Sequence, residues 1–237
     1  LGSAINHMSG QLENLVMGQK RFLGDIAHEL ASPIARMNLG LSILEQRLKN
    51  EDLDRLSDIA EEVRHMSNLI NELLSFTRAE IGPERLETSS VPLTPMITAI
   101  MDQEGTAGVK ILNRVAEDIS VWAVDSLLRR ALSNVLRNAA RYAGSAGPIE
   151  ITAHREGDKV LIAVNDQGPG VPESAIGHLF EPFFRPETAR NNRSGGVGLG
   201  LAIVKTCVQA CKGTVLAKNL KPGGFSVTMA LFANKHE

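Results

Sequence analysis

The sequence predicts an α+β protein in two parts, a helical hairpin followed by a mixed domain of strands and helices. Up to about residue 81, apolar residues recur every three or four positions and Pro33 is the single proline. This period breaks at Ile81-Gly82-Pro83, and apolar segments typical of strands follow, mixed with helical ones. The predicted boundaries are 1–18 for a helical lead-in, 19–82 for the hairpin and 83–237 for the mixed domain.

Composition excludes several classes of protein. The 237 residues include 25 Lys and Arg against 27 Asp and Glu, a net charge of −2, so we expect no nucleic-acid partner. The hydrophobic fraction of 43% is sufficient for a core, and two cysteines are too few for a disulfide framework, which favours a reducing compartment. No apolar run approaches the roughly 20 residues that span a bilayer, although segments upstream of Leu1 can still supply one.

Two heptad helices, connected near residues 50–54, form the predicted hairpin. One hairpin cannot bury its whole apolar seam, so we expect a homodimer in which two chains close a four-helix bundle. In the first helix the seam consists of Leu30, Ile34, Met37, Leu41, Leu44 and Leu48. In the second it consists of Leu56, Ile59, Val63, Met66, Ile70 and Leu73. A shorter run, Ile5 to Leu15, predicts a coiled-coil lead-in, with a solvated amphipathic tail as the alternative.

The mixed domain contains three segments that alternate or run apolar as strands do, and two with a helical period. Strands are predicted over 149–154, 160–165 and 225–231, and helices over 126–142 and 199–211. Arg155-Glu156-Gly157-Asp158 predicts a hairpin turn between the first two strands. Cys207 and Cys211 are expected to be packing thiols of the last helix.

Asn134 and Asn138 lie four residues apart and therefore share one face of the first predicted helix. Asparagine is a poor helix former, so two on one face require an explanation. Either they are buried amides that bond nearby backbone, or their oxygens are offered to a hard cation, which prefers oxygen ligands. The spacing leaves both interpretations open.

Asp166-Gln-Gly168-Pro-Gly170 directly follows the second strand. Its glycines let the backbone turn sharply and approach a planar ligand, and the carboxylate can accept a hydrogen bond from an exocyclic amine such as that of adenine. An ordinary strand-to-turn junction is the alternative.

A second glycine cluster, Gly195 to Leu201, runs into the last helix, where backbone amides can bind phosphates. It is not a P-loop, because no Gly-Lys-Ser/Thr ends it. Before it come the aromatic segment Phe180 to Arg185 and a polar stretch, 186–194, with Arg190 and Arg193. These features indicate either a lid with phosphate-binding arginines or a solvated surface loop.

In the hairpin, His28 lies about 200° around the helix from Ile26 and Leu30, so we expect it to be exposed. A neutral imidazole can accept a phosphoryl group, with Glu29 taking its ring proton. The alternative is an ordinary surface histidine. Pro33 is expected to kink or loosen the helix one turn later.

These clusters, in this order, resemble the boxes of sensor histidine kinases of two-component systems over nearly the whole chain. His28 to Pro33 resembles the phosphoacceptor box, Asn134 to Tyr142 the asparagine box, and Phe180 to Phe184 the phenylalanine box. The clusters at 166–170 and 195–201 resemble the two glycine boxes. Envelope-stress kinases of the Cpx type are the most similar subfamily, through Phe180-Glu-Pro-Phe-Phe-Arg and the second glycine box, and residues 1–18 are similar to the end of a HAMP linker.

The resemblance implies a dimeric four-helix-bundle hairpin followed by an α/β sandwich ATP-binding domain of the histidine kinase/Hsp90 type. It implies that Asp166 holds adenine, Asn138 with help from Asn134 holds Mg²⁺, and His28 is phosphorylated with Glu29 as base. It also assigns nucleotide contacts to Arg141, Tyr142, Gly168, Gly170, Phe180, Arg185, Arg190, Gly196, Gly198, Leu199, Gly200 and Leu201. The phosphoryl group would then pass to an aspartate of a response regulator. The chain would be the cytoplasmic portion of a bacterial inner-membrane receptor.

Three residues depart from the family's usual pattern. Ser32 replaces the commoner Thr or Asn, yet its hydroxyl can orient a water, which implies phosphatase activity toward the regulator. Ala31 replaces a common Arg, which puts partner affinity in doubt, while Arg141 keeps the charge of the commoner Lys. The rival functions are another ATPase of this fold, such as a chaperone or DNA-repair enzyme, and a degenerate kinase that only binds nucleotide.

Overall fold

The structure is a computed structural model that describes residues 30, 34–44, 56, 59–60, 63, 66–67, 70, 87–104, 109–143, 146–186 and 198–234. The chain divides into two compact units, Leu1–Ile81 and Gly82–Glu237. The break in the heptad period lies at this division. No helix in the described ranges is both long enough and apolar enough to cross a membrane.

The first unit is helical wherever it is described. Asn38 Nδ2 donates a hydrogen bond to Ser67 Oγ at 3.0 Å, which links residues 34–44 to the second heptad run. The apolar contact beside this bond is a buried cluster of Ile34, Val63 and Ile70, with Leu41 packed against it. These contacts join the two heptad runs within one compact unit, as the predicted hairpin requires.

The predicted seam separates into two rows of residues. The inner row is buried within the unit and includes Ile34, Leu56, Val63 and Ile70. The outer row is exposed by 41–54% of its side-chain surface and includes Leu30, Met37, Leu44, Ile59 and Met66. Within each helix the members of a row are seven residues apart, so the two rows are the two apolar positions of the heptad. A single hairpin thus buries the residues of the inner row and leaves those of the outer row in contact with solvent.

The second unit is a mixed sheet with helices, as the sequence predicts. Its strands are β1 (Ser89–Pro92), β2 (Ile111–Asn113), β3 (Ser120–Ala123), β4 (Ile149–Glu156), β5 (Lys159–Asp166), β6 (Thr214–Asn219) and β7 (Phe225–Phe232). Its helices are α1 (Leu93–Glu104), α2 (Asp125–Ala143), α3 (Glu173–Ile176) and α4 (Gly200–Ala210). Five strands form one sheet in the order β2-β4-β5-β7-β6, and β1 pairs with β3 separately. The β2–β4 pair is parallel and the other pairs are antiparallel.

The β4–β5 hairpin shows how the sequence determines the sheet. In β5, Val160, Ile162 and Val164 are buried and alternate with half-buried residues, so one face of the strand packs into the core. The strands are joined through Gly157 and Asp158, and Gly157 has a φ of 62° at the position where a type II′ turn requires glycine. Helix α2 packs on β4 and β5 and against α4, which completes a sandwich of helices on a sheet.

Candidate functional site

Asn134 is buried in α2 and its amide is used within that helix. Nδ2 donates to the carbonyl of Arg130 at 2.9 Å, and Oδ1 accepts from Arg137 Nη2 at 3.0 Å. Of the two interpretations left open by the sequence, these bonds correspond to a buried amide that binds nearby groups. Both polar atoms of the Asn134 side chain thus have a partner within α2, while the ligand role of Asn134 and Asn138 stays a prediction.

Asn138 lies one turn further along α2, next to Gly200 at the end of the second glycine cluster. A Cβ built on Gly200 would lie 3.3 Å from both Oδ1 and Nδ2 of Asn138. A side chain at position 200 would therefore require this amide to move by a few tenths of an ångström. The amide oxygen of Asn138 is a neutral oxygen donor of the kind that Mg²⁺ accepts, so the residues present fit that ion.

Asp166 ends β5 and is 8% exposed. Its Oδ1 accepts a hydrogen bond from the amide of Gly168 at 2.8 Å, which starts the turn. Burial raises the pKa of the Asp166 carboxyl, while the backbone amides of Gly168 and Phe225 act in the opposite direction. The side chain is thus a largely desolvated acceptor, held in one orientation by its own turn.

The same turn touches the end of α2. A Cβ on Gly168 would lie 3.1 Å from both Ala143 Cα and the carbonyl oxygen of Tyr142, so the close approach leaves no room for a larger residue. Arg141 and Tyr142 are exposed at this end of the helix. Both glycine clusters therefore border α2, one at Asn138 and the other at Tyr142, four residues or about 6 Å apart along the axis.

The second glycine cluster and the aromatic segment are bonded to each other. The amide of Phe183 donates to the carbonyl of Gly198 at 3.0 Å. Gly198 has a φ of 84°, and a Cβ there would lie 2.7 Å from the carbonyl oxygen of Phe184. Phe183 itself has a φ of 66°, which is unusual for a bulky residue and is the kind of backbone strain that accumulates at functional sites.

Helix α4 starts directly after this contact. Leu199, its N-cap, is fully buried and forms no side-chain cap, so its contribution to a nucleotide site would come from the backbone. Leu201 is half-buried in the first turn. Because the first amides of a helix have no partner within it, they can bind an anion such as phosphate at this end.

The remaining predicted site residues are distributed as follows. Phe180 and Arg185 are half-buried on either side of the Phe183 contact. The residues that lie outside the described ranges are His28, Glu29, Ser32, Arg190 and Gly196.

Sequence reasoning did not identify Asn219, which bonds the end of the first glycine turn. It also did not identify Gly224, whose φ is 110° and where a Cβ would meet the carbonyl oxygen of Asp166. The Gly223-Gly224 doublet could have indicated a turn. Nothing near Asn219 in the sequence indicates its partner, which is 48 residues away.

Comparison with known families identifies both units. Residues 18–82 match the His Kinase A (phospho-acceptor) domain, and residues 123–235 match the histidine kinase-, DNA gyrase B- and HSP90-like ATPase family. Together these ranges take in most of the chain. The chain belongs to the sensor histidine kinases.

Curated relatives of this histidine kinase include a sensor histidine kinase and a sensor protein. It is 32% identical over 235 residues to the sensor histidine kinase CpxA of Escherichia coli, covering 97% of the chain and 50% of the relative. It is also 32% identical to the alginate biosynthesis sensor protein KinB of Pseudomonas aeruginosa, covering 86% of the chain and 35% of the relative. The chain spans about half the length, or less, of these curated relatives. The predicted membership of the two-component family, and the similarity to the Cpx type, are confirmed.

Solved structures agree on the fold. The histidine kinase chain matches full-length ShkA, solved in complex with AMPPNP, with a TM-score of 0.74 and 26% identity over 91% of this chain and 46% of that one. The mycobacterial sensor histidine kinase MprB matches with a TM-score of 0.55 and 27% identity, covering 62% of this chain and 100% of that one. The predicted α+β architecture is confirmed.

Proposed function

We propose that this chain binds ATP with Mg²⁺ in the second unit, phosphorylates its own His28, and passes the phosphoryl group to an aspartate of a response regulator. The observation that carries the proposal is the convergence of both glycine clusters on α2. Gly168 touches the helix at Tyr142, and Gly200 touches it at Asn138. The proposed domains are the end of a HAMP linker over 1–18, the phosphoacceptor hairpin over 19–82 and the ATP-binding domain over 83–237.

The two ends of the α2 face suit the two ends of ATP. At the Tyr142 end, Asp166 accepts hydrogen bonds from the backbone amides of Gly168 and Phe225, and its carboxylate has lone pairs left to accept another from the adenine amine. At the Asn138 end, the first amides of α4 offer donors to the phosphates. Arg141, Arg185 and Arg190 add positive charge, and Asn138 would hold Mg²⁺. The ion, when bound, neutralises charge on the phosphates.

The chemical step is an in-line phosphoryl transfer. A ring nitrogen of His28 forms a bond to the γ-phosphorus as the bond from that phosphorus to the β–γ bridging oxygen breaks, and ADP leaves. Glu29 accepts the ring proton as the nitrogen becomes bonded. Because the transition state is loose, holding the nucleotide in place contributes more than covalent activation by side chains.

Labelling with ATP tests this function. With γ-labelled ATP and Mg²⁺, the chain should acquire a label that is lost in acid and kept in alkali, as a phosphoramidate bond to histidine requires. Excess EDTA should reduce the label to background, because it removes the Mg²⁺ that Asn138 would hold and that neutralises charge on the phosphates. Nucleotide binding without any label would instead indicate the degenerate kinase, and an acid-stable label would indicate phosphorylation of Ser, Thr or Tyr.

We also propose that the chain is a homodimer through the outer row of the hairpin. Five apolar residues of this row are 41–54% exposed and repeat every seven positions within each helix. An antiparallel pair with one row buried and one unpartnered becomes a four-helix bundle when a second copy covers the outer row.

Two substitutions on the same helix test this surface. Met37→Asp places a charge in the outer row and should weaken dimerisation at least about 100-fold, because the charge would be buried between the chains. Leu39 is 63% exposed but lies outside this row, so Leu39→Asp should leave the dimer intact. Sedimentation velocity at a series of concentrations measures how strongly each variant dimerises. If both substitutions weaken the dimer equally, the outer row is not the dimer surface.

The regulator is proposed to bind the hairpin. Leu39 and Ile43 are exposed apolar residues one turn apart and outside both rows, so they offer a surface that the dimer leaves open. Ser32 is proposed to orient a water for dephosphorylation of the regulator.

Membrane attachment is proposed to come from segments upstream of the chain. This portion is proposed to lie in the cytoplasm of a bacterium.

A further inference from the structure

We propose that Asn219 is a positioning residue for the nucleotide, because its side chain fixes the far end of the first glycine turn. This inference deepens the proposed ATP site and rests on it. Asn219 ends β6, the edge strand of the sheet, and belongs to none of the motifs that identify the family by sequence.

The contact is a pair of hydrogen bonds to one residue. Oδ1 of Asn219 accepts from the amide of Val171 at 2.9 Å, and Nδ2 donates to the carbonyl of Val171 at 2.7 Å. Nδ2 also donates to Glu173 Oε1 at 3.0 Å, which ties the start of α3 to the same amide. The carboxamide therefore pairs with Val171 as the peptide group of a neighbouring strand would. Both polar backbone groups of a half-buried residue are satisfied in this way.

The contact also reaches the glycine of the turn. A Cβ on Gly170 would lie 2.5 Å from Asn219 Oδ1, and Gly170 has a φ of 72°. A side chain at position 170 would therefore displace the Asn219 amide, and the positive φ by itself favours glycine there. Behind the turn, Gly224 approaches the carbonyl of Asp166, and its own carbonyl accepts from the amide of Leu220 at 2.9 Å. The β6–β7 connection thus supports the turn at its start and at its end.

Asn219 and the Asp166–Gly168 hydrogen bond hold opposite ends of the first glycine turn. The turn begins with the Asp166–Gly168 hydrogen bond and ends at Val171, so the position of the Asp166 carboxylate depends on both ends being held. Asn219 does not need to touch the nucleotide. Replacing Asn219 should therefore lower the affinity for the adenine ring. It should have little effect on phosphate binding at Gly200 and Asn138.

The test compares Asn219→Ala with Lys218→Ala, a matched control because Lys218 is the exposed neighbour on the same strand. Affinity for Mg·ADP is measured by calorimetry, and the melting temperature is measured without nucleotide. Loss of its three side-chain hydrogen bonds, two of them to Val171, should weaken Mg·ADP binding about tenfold in Asn219→Ala, whereas Lys218→Ala should bind Mg·ADP as the wild type does. The ratio of ADP affinity to IDP affinity should fall toward one, since inosine lacks the amine that Asp166 would bind.

The ratio separates positioning from general destabilisation, because an unfolded fraction weakens both nucleotides equally. Asn219→Asp is the second variant: it keeps the acceptor for Val171 but sets a carboxylate against the Val171 carbonyl and the Glu173 carboxylate, so it should lose at least as much affinity as Asn219→Ala. Wild-type affinity and ratio in Asn219→Ala would overturn the inference. If the wild-type chain itself binds no nucleotide, the proposed function fails instead.

Discussion

Replacing His28 by glutamine should abolish labelling from γ-labelled ATP, to less than about 1% of the wild-type level, while the affinity for Mg·ADP stays unchanged. The amide of glutamine has a comparable size and hydrogen-bonding capacity but no nucleophilic nitrogen, so the acceptor of the phosphoryl group is removed. Nucleotide contacts are assigned to the second unit and should be insensitive to this change. Filter-bound label and calorimetric titration measure the two quantities.

The matched control is His154→Gln, an exposed histidine near the end of β4. Because this side chain lies outside the nucleotide motifs, the variant should label at the wild-type rate. Residual labelling of His28→Gln at a substantial rate would mean that another group accepts the phosphoryl, and His28 would then be an ordinary surface residue. Loss of Mg·ADP binding in His28→Gln would indicate misfolding and would call for the same assay on a His28→Asn variant.

Replacing Gly198 by alanine should weaken Mg·ADP binding by on the order of 100-fold. Gly198 has a φ of 84°, and a left-handed conformation costs a residue with a Cβ about 1–2 kcal/mol. The new Cβ would also lie 2.7 Å from the carbonyl oxygen of Phe184 and 2.9 Å from the carbonyl carbon of Phe183, so this segment must move. Its movement breaks the Phe183–Gly198 hydrogen bond and displaces the start of α4, where the phosphates are proposed to bind.

Gly177→Ala is the control for this change. Gly177 has a helical φ of −63° at the end of α3, and a Cβ there would meet nothing within 4 Å. Its affinity should match that of the wild type, and its stability should be equal or slightly higher. If Gly198→Ala binds Mg·ADP normally, the second glycine cluster does not depend on its contact with the aromatic segment, and the phosphate site must lie elsewhere.

The parts of the fold that the sequence predicted are those with a strong local pattern. Strand β5 alternates over its full length, β4 alternates over its first four residues, and α2 and α4 keep a helical period, so the predicted bounds of each lie within two residues of the observed ones. Strands β1, β2 and β3 have three or four residues each, too few to show alternation. Helix α1 was not predicted and has Pro95 in its first turn, a position that tolerates proline but weakens the pattern.

In the candidate site, too, the residues with a strong local pattern were predicted and those that depend on distant partners were not. Asp166, Gly168, Gly198 and Gly200 were identified because each motif is contiguous in the sequence. The different contacts of Asn134 and Asn138 could not be predicted, because four-residue spacing places both on one face of α2, whereas their contacts depend on the neighbours Arg137 and Gly200. Asn219 could not be predicted either, since its partner becomes adjacent only when the sheet forms.

The spacing of Asn138 and Tyr142 on α2 limits which changes in chain length the domain can tolerate. One residue inserted or deleted between them would rotate the two contacts by about 100° relative to each other and change their separation by about 1.5 Å. The turn at Gly168 and the helix start at Gly200 could not then face the same ligand. Insertions and deletions are therefore incompatible with the stretch between Asn138 and Tyr142.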